Sequence, residues 1–309
     1  MMASLTARAE TYWTPERIQK LSGKRKLLVN PKEDAPFLFT IGIMNKDASI
    51  SHDGMRKFIQ INHMLQLVLP AIGDLQSRYA EICIYDLACG NAYLGLLVAW
   101  YLKRKGQSGF QMNCLDHSER LVAQVEKQIQ SLDLQTHCSA KVADLQQLHS
   151  ELNTSPIRMH MVLALHACDQ ATDFALAIAH QSKADYFAVA PCCQAELSQK
   201  WRGQSDPSSQ HPFAPWHQTP HLRRESGALI TDTLRLLLMR GHGYEVTATE
   251  FVETQHSAKN RMLLGTRRGL FQTESQRQFT AMAEALDAGS LCLERILPSF
   301  IKEAPLQNP

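Results

Sequence analysis

Residues Ile82 to Leu94 read I-C-I-Y-D-L-A-C-G-N-A-Y-L, and this stretch decides the fold. A short apolar run, Ile82 to Leu87, carries Asp86 near its end. It then passes through a turn whose alternate positions, Ala88, Gly90 and Ala92, are all small. The apolar stretch from Tyr93 to Leu102 reads as a buried helix. Strand, small-residue turn and helix together make a nucleotide-binding turn: small residues let the backbone approach a ligand, and the helix N-terminus offers unpaired N–H groups. The alternative is a strand meeting a helix through one glycine for packing alone. A dinucleotide fingerprint would want G-x-G-x-x-G, so the alanines disfavour a nicotinamide-dependent oxidoreductase.

Working outward, the same alternation continues. Phe110 to Leu115 is a strand closing on Asp116, and Glu119 to Gln130 is a helix. A brief strand near Lys141 and Val142 leads to Asp144. Met159 to Leu165 is a strand, Thr172 to His180 a helix, and Tyr186 to Ala190 a strand. Ala228 to Arg240 is a helix, and Glu245 to Val252 and Met262 to Thr266 are two strands that pair. Upstream, Met55, Phe58, Ile59, Leu65, Val68 and Leu69 recur at helical spacing from His52, and Pro70 should end or kink that helix. Strands alternating with helices predict an α/β fold, a largely parallel sheet covered on both faces. Asp86, Asp116 and Asp144 then fall at three successive strand ends on one edge. An acid closing the second strand is placed for ribose hydroxyls, although a lone Asp at a strand end is ordinarily a cap or turn former.

The bulk composition is that of a soluble globular protein, with 44% hydrophobic and 20% charged residues in 309. No uninterrupted apolar run could span a membrane, and Arg8, Glu10, Arg17 and Lys20 interrupt any signal core. A cytoplasmic protein is expected. The 8 cysteines include no C-x-x-C pair, which fits a reducing compartment with no disulfide framework and no zinc ribbon. Cys83 and Cys114 lie inside runs that read as buried strands. The net charge of +2 does not announce nucleic acid, but Arg17, Lys20, Lys24, Arg25, Lys26 and Lys32 cluster early; they make either a solvated arm or a phosphate-contacting one. Three regions are expected: a basic arm or cap over 1–50, the α/β domain over 51–270, and a helical tail over 271–309. The segment Gln199 to Arg224, rich in Pro, His, Ser and Gln, reads as a loop that closes over a substrate.

Two further boxes follow the fourth and fifth strands: L-A-L-H-A-C-D-Q-A-T-D, Leu163 to Asp173, and A-V-A-P-C-C-Q-A-E-L, Ala188 to Leu197. They resemble a family of S-adenosylmethionine-dependent methyltransferases marked by L-H-A-C-D-x-A-T-D and P-C-C-Q-H-E-L stretches. They are more distantly similar to eukaryotic tRNA 2′-O-methyltransferases, and to the methyltransferase-like part of a vertebrate protein with a glutathione-transferase C-terminal module. The turn itself resembles the D-x-G-x-G-x-G of Rossmann-like methyltransferases, with two glycines replaced by alanine. The likeness extends to R-K-F-I-Q-I-N-H-M-L-Q-L-V (Arg56 to Val68), L-I-T-D-T-L-R (Leu229 to Arg235) and T-Q-H-S-A-K-N-R (Thr254 to Arg261). It implies a seven-stranded sheet with an antiparallel last strand, S-adenosylmethionine as donor, RNA as acceptor, and an adenine held near Asp144. Ala195 departs from it, standing where the family usually has His.

The residues of the boxes also have a reading of their own. His166, Cys168, Asp169, Cys192 and Cys193 should line one crevice at the carboxyl ends of the strands. His166 is a general base near neutral pH or a histidine bonded into the loop. Asp169 orients the acceptor or the donor's amine, or caps the helix with Thr172; Asp173 is structural. Adjacent cysteines with no spaced partners make poor zinc geometry, so no metal is expected. Cys192 and Cys193 are packing thiols, or thiolates as in RNA cytosine-C5 methyltransferases. His256, Lys259 and Asn260 meet an acceptor phosphate or form a solvated hairpin tip. The reading is a methyltransferase acting on tRNA or rRNA at oxygen or nitrogen. The rivals are a non-RNA acceptor, cytosine-C5 chemistry, and a non-catalytic donor-binding module.

Overall fold

In a computed structural model, residues 2–23, 25–165, 167, 169–191, 194–203, 211–251 and 261–300 are described. Helices α1 (Met2–Tyr12), α2 (Pro15–Ser22) and α3 (Ala35–Thr40) precede the long α4 (His52–Arg78). The alternating part follows as β1 (Ile82–Leu87), α5 (Tyr93–Arg104), β2 (Phe110–Asp116), α6 (Glu119–Ser131), β3 (Cys138–Val142), α7 (Leu145–Glu151), β4 (Met161–Leu165), α8 (Gln170–Gln181) and β5 (Tyr186–Ala190). Then come α9 (Glu196–Gly203), α10 (Ala214–Gln218), α11 (Pro220–Gly241), β6 (Tyr244–Glu250), β7 (Arg261–Arg267), α12 (Thr273–Ala285) and α13 (Cys292–Ile296).

The seven strands form one sheet in the order β3-β2-β1-β4-β5-β7-β6. All pairs from β3 to β5 are parallel, while β7 enters antiparallel between β5 and β6. Because β7 is antiparallel to both neighbours, β6 runs with the parallel strands, and the carboxyl ends of β1 to β6 share one edge. Register sets that edge: Leu87 lies opposite Leu115, and Asp116 opposite Val142. The Rossmann-like methyltransferase architecture expected above is therefore present, antiparallel β7 included.

The central strands read as continuous apolar runs because helices cover both faces. Every residue of β4 is buried. One apolar core joins α4, α5 and α6 to the sheet and includes Phe58, Leu97, Phe110 and Ile129; the other lies under α8, α11 and the tail and includes Leu176, Trp201, Leu238 and Phe279. Tail residues Leu286, Leu293 and Leu297 are buried there as well, with Met282 packed against them.

Several local expectations change. Residues before 51 are largely helical, and Leu5, Ala9, Trp13 and Phe37 pack into the first core. Helix α4 runs through Pro70 to Arg78; the proline forgoes one bond to the Gln66 carbonyl, and buried Val68 and Ile72 hold both halves of the helix on the core. The expected loop after Gln199 is mostly helix where described, and Trp201 is fully buried, its indole N–H donating to the Leu286 carbonyl at 2.8 Å. Leu197 and Trp201 sit one helical turn apart, a spacing that turned this segment inward. Helix α11 starts at Pro220, ahead of its apolar run, since proline is pre-set for a first turn. Cys83, expected to be buried, is only half-buried.

Candidate active site

The turn after β1 holds three residues in left-handed backbone at alternate positions: Ala88 (φ 51°), Gly90 (φ 56°) and Ala92 (φ 50°). The two alanines thus keep the backbone path that glycine would follow, at some steric cost. Cβ-sized space above Gly90 meets nothing within 4 Å, so the main chain there lies open to a ligand. Asp116 fastens the turn to β2. Its Oδ2 accepts from Gly90 N–H at 2.8 Å and its Oδ1 from Ser118 N–H at 2.9 Å, with the largely exposed His117 ring at 3.5 Å.

Asp86 is buried beneath the turn. Its Oδ2 accepts from Gly95 N–H at 3.0 Å, while Oδ1 has no partner. Burial pushes its carboxyl up to about 7, the Gly95 N–H opposes this, and the Asp116 charge adds to it. Gly95 makes the bond possible: a Cβ there would lie 2.8 Å from Asp86 Oδ2. Asp144 is exposed and caps α7, accepting from Gln147 N–H at 2.9 Å. An orphaned buried oxygen, open main chain at Gly90 and a two-oxygen acid at the β2 end fit the polar groups of a nucleoside donor.

The ends of β4 and β5 are built differently. Asp169 sits at φ 48°, ψ −111° and does not cap its own helix; Thr172 instead donates through its hydroxyl to the Ala167 carbonyl. Asp169 Oδ1 reaches across the crevice and accepts from Ala195 and Glu196 N–H at 3.1 and 3.3 Å. One carboxylate therefore ties the two loops together at the start of α9. Beneath it, Arg235 is fully buried and donates to Asp173 Oδ1 (2.8 Å), Asp232 Oδ1 (3.3 Å) and the Asp169 carbonyl (2.9 Å). Gln194 donates to both Asp232 oxygens at 3.0 Å, and Arg261 lies 3.3 Å from Oδ2. Burial pushes both the Asp173 and the Asp232 carboxyls above their ordinary range, with Arg235 pulling against it.

His166, Cys168, Cys192, Cys193, His256, Lys259 and Asn260 lie outside the described residues. Among the described ones, Asp86, Ala88, Gly90, Ala92 and Asp116 come together at the donor turn. Gly95, Gln194, Asp232, Arg235 and Arg261 were assigned no role from sequence. The signal for two of them is the charged pair Asp232 and Arg235 inside the run from Ala228 to Met239, whose other residues are apolar or threonine. Among the described residues no group of three His, Cys, Asp or Glu side chains could hold a metal, and no helix is long and apolar enough to cross a membrane.

Residues 56–200 match a family model described as a methyltransferase domain. No curated protein matches the chain. Among solved structures it is similar to a putative rRNA methylase from Clostridium thermocellum, at 14% identity over 64% of this chain and 94% of that one, with a TM-score of 0.39. It is also similar to a SAM-dependent methyltransferase from Agrobacterium tumefaciens (11% identity, 68% and 63% covered, TM-score 0.41). A third likeness is to the SAH-bound methyltransferase PaMTH1 of Podospora anserina (7% identity, 82% and 97% covered, TM-score 0.41). None of these three likenesses decides the acceptor. Residues 56–200 match a methyltransferase domain, and the sheet order of the fold agrees with that match.

Proposed function

We propose that the enzyme methylates RNA, transfer or ribosomal, at an oxygen or ring nitrogen. On this reading Asp116 takes the donor's ribose hydroxyls and Asp144 the adenine side. Asp86 and the turn Ala88, Gly90 and Ala92 lie under the rest of the donor. The donor supplies an already activated methyl group on a sulfonium, so the chain's own task is to align the acceptor and receive its proton. His166 takes that proton, Asp169 fixes the two loops that frame the acceptor, and His256, Lys259 and Asn260 meet acceptor phosphate. Cys168, Cys192 and Cys193 pack the crevice without forming an adduct.

The observation that carries the acceptor class is the set of exposed cations Lys20, Arg25 and Lys26, whose cleft reaches Glu250 and Phe251 at the carboxyl end of β6. That edge is also where the donor turn lies. A polyanion crossing from arm to edge would bring its acceptor atom to the methyl group.

The test is mass spectrometry of total RNA nucleosides from a deletion strain against wild type. Loss of an O- or N-methylated nucleoside is expected. An unchanged nucleoside profile removes the RNA reading, and loss of 5-methylcytidine replaces oxygen or nitrogen chemistry with a thiolate mechanism at Cys192 or Cys193.

A further inference from the structure

Between the arm and the first half of α4 the protein encloses a cleft of about 1040 Å³. It is a built feature. The Asn62 side-chain oxygen accepts from Leu28 and Val29 N–H at 2.7 and 2.9 Å, and Gln66 Nε2 donates to the Lys26 carbonyl at 2.8 Å. These bonds fasten residues 26–29 across α4. Lys20, Arg25 and Lys26 line the arm side, and Arg56, which also pairs with Asp53, lines the helix side. Among the described residues Glu250 is the single acid in the lining. Half-buried Leu21 and Ile59 give the cleft apolar surface, and the imidazoles of His52 and His63 stand beside it. His63 Nδ1 is 3.2 Å from the carbonyl of Phe251, so the cleft ends on the edge that carries the donor turn.

We propose that this cleft holds a single-stranded tract of the acceptor, with phosphates on its cations and an unstacked base over its apolar and imidazole surface; the proposal rests on the RNA reading above. A duplex shows a protein mainly ribose and phosphate and has no base face to lay on Leu21 and Ile59. A single strand offers both a charged backbone and π-faces, and the pairing of cations with planar and apolar groups matches that combination. The cleft's size, at the top of the roughly 300–1,000 Å³ of single-ligand pockets, exceeds what a lone anion needs.

Fluorescence anisotropy of the full chain tests this with a labelled oligouridylate strand, free or annealed to oligoadenylate. The free strand should bind about tenfold tighter or more. Lys20→Ala and Lys26→Ala should each lower the slope of log affinity against log salt by about 0.7. Ile59→Ala should weaken strand binding and leave that slope unchanged. S-adenosylmethionine binding should stay at the wild-type level in all three variants, which shows that the domain is intact. Equal binding of strand and duplex overturns the single-strand assignment and leaves the RNA reading standing. An unchanged slope in both lysine variants overturns the cleft assignment and takes with it the observation on which the RNA reading rests. Wild-type protein that binds neither form overturns the RNA reading itself. Polyglutamate competing as well as RNA assigns the cleft to an acidic protein partner instead.

Discussion

The acids on the two halves of the carboxyl edge keep different company. Beside the turn after β1, Asp86, Asp116 and Asp144 accept hydrogen bonds from main-chain N–H groups, with the His117 ring 3.5 Å from Asp116, and no arginine or lysine pairs with them among the described residues. On the acceptor side, Asp173 and Asp232 share one buried arginine, and a second arginine and a glutamine finish the coordination of Asp232. Main-chain N–H groups orient a carboxyl without supplying a counter-cation. Arginine neutralises a carboxylate and fixes it in place. The same residue type is therefore paired with arginine in one half and with the main chain in the other, and Asp169, whose Oδ1 accepts from Ala195 and Glu196 N–H, keeps main-chain company beside the arginine-paired acids.

The largest effect expected from this contrast is at Arg235. Arg235→Ala leaves buried Asp173 without its cation and takes one of two arginines from Asp232, and should cost about 3–5 kcal/mol of stability in urea unfolding. A loss below about 1 kcal/mol would show that water or rearranged side chains already serve these acids, and the arginine-paired half of the contrast would fall.

Asp86 comes next. Its folded-state pKa of about 7 lies above the ordinary value of 3.8. Between those values the native protein keeps a proton that the unfolded chain has released, so stability falls as pH rises from about 4 to about 7 and stays low above that. Asp86→Asn retains an acceptor for Gly95 N–H and removes the titration. The variant should be more stable than wild type above about pH 7, by on the order of a few kcal/mol, and should lack the fall. Parallel pH profiles for the two proteins would mean that Asp86 stays ionised throughout.

Asp116→Ala probes the donor half directly. It should weaken S-adenosylmethionine binding by about 1.5–3 kcal/mol in calorimetry, through loss of charge-assisted bonds to the ribose. Unchanged affinity, or binding of NAD by the wild-type protein, would remove the cofactor role of the β2 end. The smallest effect is at Ala88. Replacing it with glycine relieves left-handed strain and should raise stability by about 0.5–1 kcal/mol, net of the freer unfolded chain. A destabilised Ala88→Gly would mean that the methyl group's contacts outweigh the strain.

The fold could be read from sequence because its signal is local and repeated. Each central strand is a short, largely apolar run, and β1 and β5 fall within the residues expected. The donor turn was equally readable, since spacing alone places Asp86, Gly90 and Asp116 on one edge. The acceptor side was harder. Asp169 read either as a group that orients the acceptor or the donor's amine or as the cap of α8; it does not cap α8, and its partner is the backbone of Ala195 and Glu196, 26 and 27 residues away. Arg235 reaches Asp173 across 62 residues. Pairings over such distances follow from the packing of α8 against α11, and no periodicity within either helix announces them. The helices of the arm or cap were not legible for a related reason: α1 to α3 are short, and docking on the core supports them.

The way Asn62 and Gln66 hold the arm has a consequence for how the protein could change. The hydrogen bonds of both side chains to this segment go to its main chain, at Lys26, Leu28 and Val29. Attachment and chemical character are therefore written in separate places. A replacement at Lys26 alters what the arm presents to a partner while its mooring persists, whereas a replacement at Asn62 removes the mooring at residues 28 and 29 whatever the arm presents. The segment behaves as an interchangeable fitting on a fixed mount, and a new preference could be installed there one side chain at a time without re-solving the fold.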